Sequence, residues 1–222
     1  MTGQLAFDLP GREAWSRADF YPSPANAEAL AAVQDWQGWP NSCLLLLGPS
    51  GAGKTHLAHI WAAETGALWL KPDRLADSLA DLPAQASVIV DRAEKAAGDG
   101  ETALFHLYNR LIPQGRLLLT AATPPRDWGL GLADLLSRLQ AMPVARLHAP
   151  DDALLAAVLL KLLADRQISA PANLVAYLLP RMERSIAAAR ALVAALDARA
   201  LASHRPITRQ LAAEVLDLND RE

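Results

Sequence analysis

Cys43-Leu44-Leu45-Leu46-Leu47-Gly48-Pro49-Ser50-Gly51-Ala52-Gly53-Lys54-Thr55 is the stretch that decides how this chain folds. Its five leading apolar residues have the length and content of a strand buried in a parallel sheet. The spacing Gly48-x4-Gly53-Lys54-Thr55 then matches a phosphate-cradling loop, a motif that is meaningful only between a strand and a helix. Both conditions hold, because helical spacing resumes at the end of the loop. Across Pro49, Ser50, Gly51, Ala52 and Gly53 the glycines let backbone N–H groups close around a β-phosphate without a Cβ in the way. Lys54 supplies a point charge at the outer phosphates, and Thr55 offers its hydroxyl to magnesium. His56 completes the nucleotide-binding set. The expected ligands are ADP or ATP with Mg2+; the bland alternative is a glycine-rich turn joining strand to helix.

Such a loop needs a carboxylate at the tip of a neighbouring strand to orient magnesium. Ser87-Val88-Ile89-Val90-Asp91 supplies one, so Thr55 and Asp91 form the expected metal pair. Position 92 is arginine, where hydrolysing enzymes of this kind carry a second acid to polarise water, and self-catalysed hydrolysis is therefore not expected. Glu94 is a substitute at three residues' distance, in what reads as the following turn. Asp134-Leu135-Leu136-Ser137-Arg138-Leu139 places an arginine after an apolar pair. It reads either as a surface residue at a helix C-terminus or as a guanidinium presented to a neighbouring subunit's nucleotide. Arg184, at the start of a helical segment, has the same two readings toward its own nucleotide. His56 and His59 lie three apart without a third ligand, a weak metal signal, and magnesium prefers oxygen. The six tryptophans read as packing.

The remaining sequence extends this into an α/β domain followed by a helical one. Strand-length apolar runs recur at residues 87–90 and 117–120, with a weaker one at Leu68-Trp69-Leu70. Helical spacing occupies residues 25–36 and 104–111. Alternating strands and helices imply a parallel sheet covered on both faces. From about residue 149 the strand pattern stops, and residues 151–164, 171–179, 185–202 and 208–218 read as Ala/Leu-rich helices. The expected division is a flexible N-terminal arm (1–18), a nucleotide-binding α/β domain (19–149) and an all-helical lid (150–222).

A chain of 222 residues that is 52% hydrophobic can bury a sizeable core. Its formal net charge of −3 gives no general basic field for nucleic acid. The single cysteine, Cys43, excludes an internal disulfide and reads as a buried thiol in a reducing compartment. No run reaches the roughly 18 apolar residues that span a bilayer. Asp8 and Pro10 stand where a signal peptide would be apolar. The expected location is cytoplasmic, with no membrane partner.

Together the P-loop, Val88-Ile89-Val90-Asp91, Leu104-Phe105-His106-Leu107-Tyr108-Asn109-Arg110, Thr123-Pro124-Pro125-Arg126 and Ser137-Arg138-Leu139 resemble the AAA+ module of the bacterial replication initiator DnaA. The likeness is greatest to its short Hda-like relatives and covers nearly the whole chain. The stretch ending at Glu222 leaves no room for a DNA-reading helix-turn-helix, so no direct sequence-specific DNA binding is expected. The segment between Lys54 and Asp91 is too short for the initiator's insertion that grips single strands. Gln4-Leu5-Ala6-Phe7-Asp8-Leu9 resembles the peptide by which replication proteins dock on the sliding clamp, with Leu5, Phe7 and Leu9 as apolar anchors and Gln4 as a hydrogen-bonding amide.

The resemblance implies that Lys54, Thr55 and Asp91 hold nucleotide and magnesium, and that Phe20, Tyr21 and Pro22 border the adenine, chiefly through the backbone around Tyr21. Arg184 corresponds to the lid arginine termed sensor 2, and Arg138 to the arginine offered to ATP bound by the initiator. Arg92 departs from the pattern, as does Ala121-Ala122, where the initiator's strand carries a polar sensor. The implied role is a regulator that docks on the DNA polymerase III β sliding clamp, stimulates ATP hydrolysis by DnaA and represses re-initiation. The alternatives are a helicase loader, an autonomous ATPase and a nucleotide-gated adaptor without catalysis in trans. A homodimer is compatible with all of them.

Overall fold

A computed structural model describes residues 15–112, 114–169, 171 and 173–219, with 218 and 219 described by backbone alone. The candidate docking residues Gln4, Leu5, Phe7 and Leu9 lie outside the described residues. The first domain runs α1 (Ala27–Gln34), β1 (Cys43–Leu47), α2 (Lys54–Thr65), β2 (Leu68–Leu70) and α3 (Leu75–Leu79). It continues with β3 (Ser87–Val90), α4 (Glu101–Leu111), β4 (Arg116–Ala121), α5 (Ala133–Gln140) and β5 (Val144–Arg146). The strands form one sheet in the order β2-β3-β4-β1-β5, and every described pairing is parallel.

Every residue of β1 is buried, because helices cover both faces of the sheet. Alternate side chains go to opposite sides, as the strand period of two requires. Cys43, Leu45 and Leu47 join a core with α4 and α5 residues such as Leu104, Leu107 and Leu135. Leu44 and Leu46 join a second core with Leu57 and Trp61 of α2 and Val33 of α1. The expected buried thiol is found: Cys43 is fully buried and burial pushes its pKa up to about 11, so it stays protonated.

The lid consists of α6 (Asp152–Asp165), α7 (Leu174–Leu178), α8 (Ile186–Ser203) and α9 (Arg209–Asn219) around its own apolar core, with Leu159, Leu178, Leu196 and Leu211 at its centre. Asp151 caps α6 by accepting the Leu154 N–H at 2.7 Å, and Ser185 caps α8 by accepting the Ala188 N–H at 3.0 Å. Both starts coincide with those read from sequence.

Three features differ from that reading. Strand β5 is a three-residue edge element whose only buried side chain is Ala145, too short to register as apolar alternation. Helix α4 begins three residues earlier than residue 104. The carboxylate of Glu101 accepts N–H groups from Gly98, Gly131 and Leu132 at 2.9–3.1 Å and anchors that first turn. Finally, Trp15 to Asp19, expected in or beside a flexible arm, pack on the two domains: Trp15 stacks on His59 of α2 at 4.9 Å between ring centroids, and Asp19 meets Lys161 of α6 at 2.8 Å.

Candidate nucleotide site

The carboxyl ends of β1, β3 and β4 converge because β1 is paired with β4, which in turn is paired with β3. In a parallel α/β sheet this end, where strand order reverses, is where ligands are bound. A cleft of about 590 Å3 opens there, between the P-loop, the tips of β3 and β4, the N-terminal segment and lid helices α6 and α8. Ser50, Gly51, Gly53, Lys54, Thr55, His56, Asp91 and Tyr21 all line it. Pro49 and Ala52 instead shape the loop, where the Ala52 N–H donates to the Pro49 carbonyl at 3.3 Å.

The loop has the stereochemistry that its sequence requires. Gly51 and Gly53 have φ of 73° and 104°, in the region that only glycine enters at low cost. At Gly51 a Cβ would also lie 2.6 Å from that of Ser185, so the P-loop and lid touch where a side chain would separate them. The Gly51 carbonyl accepts the Ile186 N–H at 3.0 Å across the same contact. Lys54 begins α2 and donates its ammonium to the carbonyls of Gly48 at 2.6 Å and Pro49 at 2.8 Å. Burial lowers its pKa, while Glu94 and Asp91 pull it back up.

The two metal-pair residues are in direct contact. The Thr55 hydroxyl donates to Asp91 at 3.1 and 3.3 Å to the two carboxylate oxygens. The Thr120 hydroxyl donates to Asp91 Oδ1 at 2.6 Å while accepting the Arg92 N–H at 2.9 Å. Thr120 is fully buried on β4, one residue before Ala121-Ala122, and is a polar partner of Asp91 that was not among the expected residues. Hard oxygen donors, one hydroxyl and one carboxylate beside a phosphate cradle, suit Mg2+, which retains waters and takes few protein ligands.

Other expected residues are not brought together. Arg184 turns toward Asp152 at 2.7 Å and the Pro150 carbonyl at 3.4 Å, and it does not line the cleft. The lid cations that do are Lys161 of α6 and Arg190 of α8, the latter 4.5 Å over the Trp15 ring. An alanine-rich helix with several arginines carries no local mark of which one faces inward, so sequence reasoning missed Arg190. Trp15, read with the other tryptophans as packing, lines the cleft too. Tyr21 is exposed, and its carbonyl accepts the Asn26 side-chain amide at 3.0 Å. His56 is buried between Trp15 and Phe20, its Nε2 2.9 Å from the Ser16 carbonyl, and burial lowers its pKa.

Arg138 lies apart from the cleft, on α5, with its side chain 40% exposed. Asp134 is 3.7 Å away one turn earlier, and the guanidinium sits over Phe105 at 5.2 Å and Tyr108 at 5.7 Å.

The fold, a five-stranded parallel sheet flanked by helices, is similar to that of solved replication and recombination proteins. Domain III of the Thermotoga maritima replication initiation protein DnaA superposes with a TM-score of 0.79 at 18% identity, covering 91% of this chain and 95% of that one. The fold is a DnaA-like AAA+ P-loop fold. AMPPCP-bound DnaA from Aquifex aeolicus gives a TM-score of 0.70 at 14% identity, over 82% of this chain and 65% of that one. The Thermotoga maritima RuvB Holliday junction branch migration motor gives 0.64 at 18%, over 85% and 64%. The chain spans about two thirds of those two longer proteins. No protein-family model matches the sequence. Among the described residues, no helix is long and apolar enough to cross a membrane.

Proposed function

We propose that this chain is a nucleotide-bound regulator of the replication initiator DnaA: it holds ADP or ATP with Mg2+ in its cleft, docks on the β sliding clamp through Gln4, Leu5, Phe7 and Leu9, and presents Arg138 to ATP carried by the initiator. The observation that carries the first part is the convergence of Lys54, Thr55 and Asp91 at one end of the cleft. AMPPCP, bound by the Aquifex initiator, is an ATP analogue, and this chain has the same fold. Lys54 would leave the Gly48 and Pro49 carbonyls for phosphate oxygens, Thr55 and Asp91 would hold the metal, and Arg190 stands in the place expected of Arg184. The metal, when bound, supplies charge neutralisation between the phosphates.

Support for the second part is geometric. Arg138 is outside its own cleft with its side chain 40% exposed, its Nε buried and unpartnered and its guanidinium beside an exposed acid and two ring faces, an arrangement that supports an outward role. In other phosphoryl-transfer systems such an arginine contributes about 10³ to 10⁵ in rate.

The test loads DnaA with radiolabelled ATP, adds DNA-loaded clamp and this protein, and follows ADP formation. Stimulation that Arg138→Ala abolishes with clamp binding intact, and that deletion of residues 4–9 weakens by loss of docking, supports the reading. Equal stimulation by Arg138→Ala removes it and leaves the adaptor reading, in which the contacts of Arg138 with Asp134, Phe105 and Tyr108 are structural. Direct helicase binding that ignores residues 4–9 points to the loader.

A further inference from the structure

The two domains have separate apolar cores. Val33 and Leu57 pack against Leu44 and Leu46 of the sheet, while Leu159, Leu178, Leu196 and Leu211 pack among themselves in the lid. Units built in this way keep a fixed relation only as far as contacts outside their cores hold them. One such contact is the P-loop against the start of α8, through the Gly51 carbonyl and the Ile186 N–H. A second is the segment from Trp15 to Asp19. Trp15 lies with its ring stacked on His59 of α2 and with the guanidinium of Arg190, on α8, 4.5 Å over it. The Ser16 carbonyl is 2.9 Å from Nε2 of His56 on α2. Asp19 reaches α6, where one carboxylate oxygen meets the Lys161 ammonium at 2.8 Å, and the Ser16 hydroxyl donates to the other.

The two ends of this segment are held by different physics. Phe20 is 5% exposed in the core shared with α2, and the Tyr21 carbonyl accepts the Asn26 amide, so this end is fixed with the fold. From Trp15 to Asp19 no residue is buried, and the contacts are ring stacking, a cation over a ring and an ion pair whose lysine is 43% exposed. Such contacts are individually weak, and they can be released and remade without opening either core. Trp15, Phe20, Lys161 and Arg190 also line the nucleotide cleft together with Lys54 and Thr55, so the segment that ties the domains is a wall of the site. Asp19 is not part of that lining and reaches the cleft only by holding Lys161.

We propose that residues 15–19 form a strap, hinged at Phe20, that holds the lid over the bound nucleotide and sets how fast the nucleotide leaves. The inference rests on the nucleotide-site reading above and adds what governs exchange at that site. With the strap seated, α6 is tied through Asp19 and α8 through Trp15 to the α2 side of the cleft, and the lid swings away from the P-loop only by breaking both ties. With the strap lifted, the lid rests on its contact with Gly51, the cleft loses Trp15 from its wall, and the nucleotide is free to leave. Opening of a lid is a step that commonly limits release.

The experiment loads the purified full-length chain with fluorescent ADP and Mg2+, chases with excess unlabelled ADP and follows release by stopped flow. Wild type is expected to bind and to release slowly. Asp19→Asn should speed release about fivefold, the weight of a partly exposed ion pair expressed in the off-rate. Trp15→Ala, which removes the stacking and the cation's ring together, should speed it about tenfold. Trp15→Phe, which keeps a ring on His59, should release at an intermediate rate and carries the test if Trp15→Ala misfolds. Arg166→Ala breaks a different lid ion pair, with Asp197 at 3.8 Å, and should leave release as it was. Exchange of charges by Asp19→Lys with Lys161→Asp should slow release relative to Lys161→Asp alone. If it does not, Lys161 acts on the nucleotide itself and the strap is overturned. Wild-type release rates from Asp19→Asn and both Trp15 variants overturn the strap while leaving the nucleotide site standing. A wild type that binds no nucleotide overturns the site, and the strap with it.

Discussion

Asp91 and Arg138 are the two charges on which the proposed activity turns, and they are held in opposite ways. Asp91 is fixed by hydroxyls from residues 36 and 29 positions away, on α2 and β4, and the second of these also clamps the next backbone amide. Arg138 is held by an acid four residues earlier on its own helix and by two rings of α4. The first arrangement stores orientation in the fold and makes the cleft rigid before a ligand arrives, which is how electrostatic sites act at low reorganisation cost. The second leaves a side chain that can change partners cheaply. On the proposed reading, the group that serves the chain's own ligand is preorganised, while the one offered to another molecule is kept on local, replaceable contacts.

That contrast can be broken experimentally. The largest effect is expected for Lys54→Ala. It removes charge-assisted contacts to phosphate worth about 1.5–3 kcal/mol each, so ATP affinity should fall by about 100-fold in isothermal titration. Unchanged affinity would mean that the cleft does not bind triphosphate through this loop. Next comes Thr120→Val, which leaves Asp91 and the Arg92 N–H each short of a partner. Urea unfolding should show about 1–3 kcal/mol of lost stability, and a neutral result would show that the long-range clamp on Asp91 is dispensable.

A smaller effect separates the cleft's buried wall from its charged end. His56 has a lowered pKa, chiefly through burial, so the unfolded chain takes up its proton at a higher pH than the folded one. The stability that this provides is fully present above about pH 6.5 and is lost as pH falls from there through the lowered folded value. His56→Gln should flatten that part of a stability-against-pH curve, and an unaltered slope would assign it to another group. The smallest effect is expected for Arg138→Ala, whose half-exposed ion pair and ring contacts are worth about 1 kcal/mol or less. A loss well above that in thermal unfolding would make Arg138 a structural residue and erase the contrast with Asp91.

The α/β framework was legible because its signals are local. An unbroken apolar run such as Cys43-Leu44-Leu45-Leu46-Leu47 has few structural outlets, and the glycine spacing after it demands positive φ values that the structure contains. Asp91 was legible for the same reason, as the first polar residue after Val90. Strand β5 was not, since an edge strand with one buried side chain has little pattern to read. Thr120 was hidden as one more β-branched residue in a strand, until β4 settled between β1 and β3 and set its hydroxyl against Asp91. Arg184 stands just before the Ser185 cap and Arg190 six positions on, inside α8, and only the seating of α8 on the P-loop decides which of them faces the cleft.

Backbone stereochemistry and the periods of apolar residues act over a few positions, so the sequence by itself determined the parallel sheet, the P-loop, the acid at the tip of β3 and the helical lid. Which polar groups meet in the cleft depends on strand order and on the docking of α8. These bring together residues such as Thr55, Asp91, Thr120 and Arg190 that have no local interaction in the chain. Such meetings are settled by the packing of whole elements, which is why Arg92 and Glu94 both line the cleft while Arg184 turns away to Asp152.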